Sequence, residues 1–331
     1  MKSLYSIYTR LALIGAGCLL FTHCKKSSSN PQGTTGIHVY IAGSNGTNPV
    51  LWTNGSPQVL SASVGLAFQV VVSDSDVYVA GMEGGSQTLS FGGPGGYYAY
   101  WKNGQQSVIT GVGPMADQSS IAIAGGNLYY ANGSLWQNGL VYLQQGQGSA
   151  ESSVVEVFGV GNDIYAVGSD STDTPVYWKN GQRVVVAQRN PMLSYPFVEC
   201  IYVTGSDVYV GGFDAGGRPA YWKNGVVTEL LPADPGTYVS QARSIFVNGN
   251  DVYVVGNYYS PTTAPQPAYW KNGVQQDLPL NGATYGTAND IFVVDSTVYV
   301  AGQTSAGAVY WKNGVENLLA AAGEANSVVV Q

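Results

Sequence analysis

Apolar and polar residues alternate in short runs along most of this 331-residue chain. The segment Asp76 to Gly81, which reads Asp-Val-Tyr-Val-Ala-Gly, is typical: β-branched and aromatic residues alternate, and a glycine ends the run. A period of two predicts β-strands that bury one face. No stretch after the N-terminal segment has the period of an amphipathic helix, so we expect an all-β domain.

One phrase contains every tryptophan of the chain, and its commonest form is Tyr-Trp-Lys-Asn-Gly. The seven tryptophans are Trp52, Trp101, Trp136, Trp178, Trp222, Trp270 and Trp311, and successive ones are 35 to 49 residues apart. Asn-Gly between two apolar runs predicts a hairpin, because a type I′ turn needs positive φ at both central residues. A repeat of roughly 40–45 residues is typical of β-propeller blades.

Each repeat predicts four strands, A to D, with the tryptophan on strand C. Strand B ends, from repeat to repeat, in Gly43, Gly81, Asn132, Gly168, Gly212, Gly256 and Gly302. Glycine and asparagine tolerate positive φ best, so we expect that backbone conformation at these positions. The repeated Trp and Tyr side chains are expected to pack between blades, and the lysines of the phrase to be solvated.

The two ends of the repeat region predict how the ring closes. The first repeat begins at Ile37 with strand B and lacks a strand A, whereas Ala325 to Val330 matches strand A. We expect this C-terminal strand to pair beside Val39-Tyr40-Ile41. The prediction is a seven-bladed β-propeller of four-stranded antiparallel blades over residues 37–331, closed so that no inner sheet edge is exposed.

The N-terminal segment predicts export and anchoring. Lys2 and Arg10 precede an apolar run from Leu11 to Phe21 that is too short to span a bilayer. Cys24 and a polar, Ser-rich tether follow, as in a bacterial lipoprotein signal, whose cysteine becomes lipidated. We therefore assign residues 1–23 to the signal peptide and 24–36 to the lipidated cysteine and its tether. The alternatives are lipidation at Cys18 and ordinary secretion.

Composition narrows the possible partners. The formal net charge is −7 and basic clusters are absent from the sequence, which argues against nucleic acid as a partner. With two histidines, a His-based triad or His-rich metal site cannot be built. We expect a monomer without cofactor or metal, in contact with the membrane only through its lipid anchor. Cys200 is expected to be a small buried residue at the start of a strand A.

Loop lengths indicate where a ligand would bind. The A–B and C–D turns have near-constant lengths, whereas the B–C connections, on the opposite face, vary widely. Binding residues concentrate on variable loops of rigid scaffolds. The B–C loops of this face are expected to carry Tyr97 and Tyr98 in blade two and Tyr258 and Tyr259 in blade six. These rings would stack on a ligand or, alternatively, cover the ends of neighbouring blades.

Charged residues also mark the expected mouth of the central channel. At two aligned positions just before each strand A, most repeats carry neutral residues, and the charged ones are Glu156, Glu199, Arg243 and Asp290. Two of the carboxylates could perform general acid–base chemistry if they lay about 5–10 Å apart. The structural alternative is a salt bridge between Glu199 and Arg243.

Written as Tyr-Trp-Lys-Asn-Gly-Val followed by Leu, then Ala-x-x-Ile-x-Val, then Val-Tyr-Val-x-Gly, the repeat resembles the HAF-type repeat. Trp270, Gly273 and Asp277-Leu278 match that pattern, as does Trp311 to Leu318 without the Asp. The resemblance covers residues 37–331 and implies an extracellular propeller without an agreed activity.

These observations predict an outer-membrane lipoprotein, facing the periplasm or the cell surface, that binds a glycan or a protein segment on its variable-loop face without catalysis. Glu199, Arg243, Asp290 and the four tyrosines are its expected ligand-binding residues. One alternative is a polysaccharide hydrolase or lyase that uses Glu156, Glu199 and Asp290. Another is a purely structural envelope protein.

Overall fold

The structure of the protein, a computed structural model, describes residues 36–84, 97–109, 119–143, 153–188, 197–214, 217–234 and 236–331. Cys18 and Cys24 lie outside these residues. The described residues form twenty-eight strands in seven four-stranded antiparallel sheets, which are the blades of a seven-bladed β-propeller. No helix of the described residues is long and apolar enough to cross a membrane.

The first fourteen strands are β1 Val39–Ser44, β2 Pro49–Thr53, β3 Ser56–Val59, β4 Gly65–Ser73, β5 Asp76–Glu83, β6 Tyr97–Lys102, β7 Gln105–Ile109, β8 Ser120–Ala124, β9 Asn127–Asn132, β10 Ser134–Gln137, β11 Leu140–Leu143, β12 Ser153–Val160, β13 Asp163–Ser169 and β14 Pro175–Lys179. The others are β15 Gln182–Val185, β16 Phe197–Thr204, β17 Asp207–Phe213, β18 Pro219–Lys223, β19 Val226–Glu229, β20 Tyr238–Asn248, β21 Asp251–Ser260, β22 Thr263–Lys271, β23 Val274–Asp277, β24 Gly286–Val294, β25 Thr297–Thr304, β26 Gly307–Lys312, β27 Val315–Ala320 and β28 Glu324–Val330.

Blade one is built from both ends of the ring, as the sequence predicts. Its strand order is β28-β1-β2-β3, so the C-terminal strand is its innermost strand. The pairing places Val39 opposite Val330 and Ile41 opposite Val328. In blades two to seven, strands A to D follow one another from the centre outward. Closure at blade one leaves each inner strand hydrogen-bonded within its own sheet.

The Asn-Gly turns and the tryptophans confirm the predicted roles. All seven asparagines of the turns have φ of 50–51° and are followed by a glycine with positive φ, as a type I′ turn requires. Every tryptophan is at most 8% exposed. The indole nitrogen of Trp270 donates to the Leu231 carbonyl, and that of Trp311 to the Pro279 carbonyl, both at 2.9 Å. Each bond joins a blade to the end of the preceding one.

The motif lysines are more ordered than the expected solvated side chains. In blade two, Lys102 Nζ lies 2.7 Å from Asp76 and 5.3 Å from the centre of the Tyr78 ring. Asn103 completes the arrangement by donating to Asp76 and accepting from the backbone N–H of Val77. The same contacts recur at Lys179, Lys223 and Lys271. A half-exposed cation is held here because strand B supplies both a carboxylate and an aromatic face.

The glycine at the end of strand B does not have positive φ, so that prediction is wrong. Its role is to allow a close approach between backbones. A Cβ at Gly212 would lie 1.9 Å from the carbonyl oxygen of Phe197, and one at Gly168 would lie 1.7 Å from that of Ser153. The oxygen comes this close because the inner strand contains a β-bulge immediately after it.

Candidate functional site

The β-bulges of the inner strands build the candidate site. In six blades the inner strand has, at one aligned position, a residue without a partner on strand B; these residues are Phe68, Val155, Glu199, Arg243, Asn289 and Asn326. Strand β20 has a second register shift, between Val239 and Gln241. A bulge turns its extra side chain away from the regular alternation of the strand. In blade three the described pairing has no shift, and Ser119 precedes the strand. All seven side chains line one cavity of about 360 Å³, which we call the cup.

The sequence predicted these positions just before strand A, but they lie inside it. Glu199 is the third residue of β16, and Cys200, expected at the start of a strand, is the fourth. The inner strands begin earlier than their apolar pattern indicates, because residues on the N-terminal side of the bulge also pair with strand B. The bulges lie near the start of the inner strands, so the cup opens toward the D–A and B–C connections. Cys200 itself is 2% exposed, as predicted for a buried residue.

At the next aligned position, side chains of blades two, three and four tie each blade to the following one. Gln69 Oε1 accepts from the backbone N–H of Ile121 at 2.6 Å, and Ser120 Oγ accepts from that of Val157 at 3.0 Å. Glu156 Oε2 accepts from the N–H of Ile201 at 2.8 Å. In each of these three bonds the accepting group is on one blade and the N–H on the next. The bonds satisfy buried backbone donors.

Asp290 makes similar bonds between blades six, seven and one. We call the hydrogen bonds of Gln69, Ser120, Glu156 and Asp290 to neighbouring blades the belt. Its Oδ1 accepts from Ser244 Oγ at 2.5 Å and from the N–H of Ile291 at 2.9 Å. Its Oδ2 accepts from Ser327 Oγ and from the N–H of Val328, both at 2.9 Å. The side chain is 4% exposed. Asp290 and Glu156 thus both hold neighbouring backbone, which is a structural task.

Glu199 and Arg243 face the cup without the direct salt bridge that the sequence favoured. Within the part of the chain that the structure describes, Glu199 interacts with Arg243 through charge alone, with no hydrogen bond or contact ion pair. Arg243 instead donates to Gln241 Oε1 at 2.6 Å and to Asn289 Oδ1 at 3.3 Å. Burial raises the pKa of the Glu199 carboxyl to about 7, and the positive charge of Arg243 opposes that rise.

Glu324, which the sequence did not predict as a site residue, also lines the cup. It lies two residues before the bulge residue Asn326, whose amide lies 3.5 Å from Glu324 Oε1 and donates to the Ala67 carbonyl at 3.0 Å. Its sequence signal is its place directly before Ala325 to Val330, the segment that matches strand A. It lies outside the two aligned positions that marked the other charged residues.

Blade three contains three buried polar side-chain atoms that have no hydrogen bond to any described residue. They are Ser119 Oγ, Tyr130 OH and Asn132 Nδ2. Burial raises the pKa of the Tyr130 hydroxyl, while the nearby Ser119 and Asn132 side chains offset part of that rise. These two side chains are therefore close to the hydroxyl without meeting hydrogen-bond geometry. Buried polar atoms are rarely left unpaired, so the cluster is unusual, and of its three residues Ser119 lines the cup.

An aromatic row lies below the cup. Three residues beyond the bulge, four neighbouring blades carry Phe158, Tyr202, Phe246 and Phe292, whose successive ring centres are 4.7–5.0 Å apart. These rings are at most 5% exposed. At the same level, the other three blades present Val71, Ala122 and Val329, also at most 5% exposed. The inner strands are therefore packed at this depth, which gives the cup an apolar floor.

The four tyrosines predicted on B–C loops lie on strands. Tyr97 and Tyr98 begin β6, and Tyr258 and Tyr259 lie near the end of β21, because strand pairing continues past the expected boundaries. Tyr97 and Tyr259 are 39% and 41% exposed. The other two are half-buried, and the Tyr98 ring packs 6.4 Å from that of Tyr130. Tyr97 and Tyr259 thus remain available to a partner.

Two of the exposed rings are fixed by neighbours. The Tyr97 hydroxyl donates to the carboxylate of Glu83, a side chain that is only 2% exposed. The Tyr259 ring packs against Tyr238, with 5.8 Å between ring centres. Aromatic side chains held in this way offer contact area with little loss of conformational entropy on binding. No group of three or more metal-ligating side chains occurs in the described residues.

The sequence of this chain matches no known protein-family profile and no curated protein.

Proposed function

We propose that this protein is a binding propeller of the bacterial cell envelope, anchored through Cys24, whose ligand enters the cup. The observation that carries the proposal is the state of Glu199, which lines the cup without a described hydrogen bond while its neighbouring carboxylates are engaged. A polar side chain placed by a rigid scaffold in a concave site is typical of ligand recognition. The ligand is a glycan or a protein segment.

Binding is favoured over catalysis because two of the three carboxylates expected to act in catalysis are already engaged in hydrogen bonds. General acid–base cleavage of a glycoside needs two carboxyl groups that flank the bond. Of Glu156, Glu199 and Asp290, the first accepts a backbone N–H from the next blade, and the last accepts four hydrogen bonds. Protonation or movement of either group would break contacts between blades.

A hydrolase or lyase remains the second candidate because one observation favours it. A carboxyl group with a pKa of about 7, as at Glu199, is partly protonated at neutral pH and suits a general acid. Glu324 would then be the partner carboxylate in the cup. Incubation of the purified protein with a panel of polysaccharides tests this candidate. Reproducible cleavage that disappears in Glu199→Gln would replace binding by catalysis.

The binding proposal is tested on a glycan array and a peptide library with the full chain in detergent. Ala in place of Tyr97 or Tyr259 should weaken a hit by about 1–3 kcal/mol where the ring is a hot spot. Tyr142→Ala is the matched control, since Tyr142 is 36% exposed but lies on β11, the outermost strand of blade three. Equal losses in all three variants would argue against a binding surface at the cup.

Cellular location has its own test. Cys24→Ser should release the protein from the membrane fraction, whereas Cys18→Ser should leave it bound. This location agrees with the resemblance to extracellular HAF-type repeat propellers. Membrane attachment that survives both substitutions would contradict the lipoprotein proposal.

A further inference from the structure

The cup contains more negative than positive charge. Its charged lining residues are Glu156, Glu199, Asp290, Glu324 and Arg243. The single guanidinium is held by two amide oxygens, and it acts on Glu199 and Glu324 only through longer-range charge. Buried carboxylates are stabilised by a nearby opposite charge. Four acids against one base therefore favour a positively charged ligand over an acidic one.

We propose that the cup binds a protonated primary amine carried on a small hydroxylated or amide-bearing body. Glu199 accepts from the ammonium group, the Phe68 ring packs against the cation, and the Ser119 hydroxyl bonds to the polar body. This inference rests on the proposed function, since it names the chemistry of the ligand that enters the same cup.

Glu199 and Phe68 reach the cup by the same structural device. Both are bulge residues, on blades five and two, and both line the one cavity. A cation over an aromatic face is stabilised by the ring, and more strongly as water is excluded. Among the described lining residues Phe68 supplies the one aromatic ring. Quaternary ammonium groups are recognised by cages of several rings, so a single ring with carboxylates fits a primary amine better.

Ser119 provides evidence that does not depend on charge. It lines the cup and is 3% exposed, yet its Oγ has no hydrogen-bond partner among the described residues. A buried hydroxyl without a partner destabilises the protein. Rotation of the Ser119 side chain would turn this hydroxyl toward the cup, where a hydroxyl or amide of the ligand would supply the partner. The body next to the amine is therefore polar, and the cup volume of about 360 Å³ restricts it to a small group.

The test is a titration by calorimetry of the full chain in detergent at pH 7. Glucosamine, glucose, N-acetylglucosamine and glucuronate share one ring and differ in charge, and Nα-acetyl-lysine amide carries the same ammonium on a peptide. At least one amine should bind ten or more times tighter than the neutral and acidic sugars. Preference for glucosamine indicates a glycan source, and preference for the lysine probe a protein source. Equal or tighter binding of glucose or glucuronate would overturn the proposal.

Substitutions test which residues of the cup bind the amine. Glu199→Gln should lower amine affinity at least tenfold, and Phe68→Leu and Ser119→Ala should lower it several-fold. Glu229→Gln is the control, because Glu229 is a carboxylate of β19, the outermost strand of blade five. Melting temperatures show whether each variant folds. The lysine probe keeps its ammonium group protonated at pH 7. Its binding should therefore release a proton from Glu199, so its measured heat should depend on the buffer in the wild type and not in Glu199→Gln.

The outcomes separate this inference from the proposed function. If no amine probe binds, the amine proposal is wrong. A larger array or library hit that is lost in Glu199→Gln would still support a binding function at the cup. If neither small probes nor larger ligands bind, both proposals fail.

Discussion

Blade three and the other six blades carry different residues at one aligned position of strand B. In the six, this residue is a glycine beside the bulge of the inner strand. A side chain there would clash, as a Cβ at Gly212 would with the Phe197 carbonyl. In blade three the residue is Asn132, and the described pairs of β8 with β9, from Ser120 opposite Ala131 to Ala124 opposite Asn127, contain no shift. Glycine and bulge therefore occur together in the six blades where the structure describes a bulge.

This difference also shapes the cup. A bulge turns an extra side chain into the channel, and blade five delivers Glu199 in this way. In blade three, Ser119 lies near Tyr130 and Asn132, and one polar atom of each side chain has no hydrogen bond to any described residue. The regular blades thus supply charge and shape, whereas the irregular blade supplies unsatisfied neutral groups.

The largest effect is expected from a side chain at a bulge-linked glycine. Gly212→Val places its Cβ 1.9 Å from the Phe197 oxygen, so β16 and β17 must separate. The free energy of unfolding should fall by more than about 4 kcal/mol, the size reserved for severe core disruption. Chemical denaturation measures the change. A loss below about 1 kcal/mol, the ordinary effect of a point substitution, would show that the bulge does not require a glycine at this position.

A smaller but still large effect is expected at Asp290. Asp290→Ala removes the acceptor of four hydrogen bonds, three of which join blade seven to blades six and one. Buried donors without a partner cost about 1–3 kcal/mol each, and relaxation should reduce the total loss to about 3 kcal/mol. The stability of Asp290→Ala is compared by thermal unfolding with that of Ser327→Ala. The second variant removes one of these donors and should cost about 1 kcal/mol. Equal effects would argue against the belt.

Glu199 should give a pH-dependent effect of intermediate size. Its carboxyl pKa of about 7 in the folded protein exceeds the ordinary value of 4.5, so the folded state binds the proton more tightly. This contribution is present below pH 4.5 and is lost as pH rises to 7, on the order of 1–3 kcal/mol. Glu199→Gln should therefore become more stable relative to wild type across that range. If the difference in melting temperature between the two proteins stays constant from pH 4.5 to pH 7, the raised pKa of Glu199 is contradicted.

The smallest effect is expected at the irregular blade. Asn132→Gly restores the repeat residue, but no bulge is present among the described pairs of this blade that requires it. The variant loses a buried side chain with an unpaired amide nitrogen and gains backbone freedom in the unfolded state, and these changes oppose each other. Its stability should stay within about 1 kcal/mol of wild type by chemical denaturation. A loss comparable to that of Gly212→Val would erase the distinction between the blades.

The fold could be predicted because its determinants are local and repeated. The period of two, the Asn-Gly turns and the match of Ala325 to Val330 with strand A each depend on a few adjacent residues. The bulge was missed because an extra residue in a strand leaves the apolar pattern nearly intact. Close backbone approach and positive φ select the same residue types, so sequence alone could not separate the two reasons for glycine.

The candidate site was predicted only as a set of positions. The aligned residues do line the cup, but their partners depend on the neighbouring blade. Glu199 occupies the bulge position and Asp290 the position after it. The local sequence does not show, however, that Asp290 accepts four hydrogen bonds and Glu199 none that the structure describes. The roles of the two acids differ through contacts between residues about 40 positions apart, as in the bond from Val328 to Asp290.

The pairing of β28 with β1 also constrains the order of folding. The two strands are joined by almost the whole propeller, since Val39 lies opposite Val330. The entropy cost of closing so long a loop is only slightly greater than for a short one, but such distant contacts form slowly. Blade one cannot be completed until the last residues of the chain have been made. A chain caught during synthesis would therefore carry six sheets that can be complete and a first sheet that still lacks its inner strand.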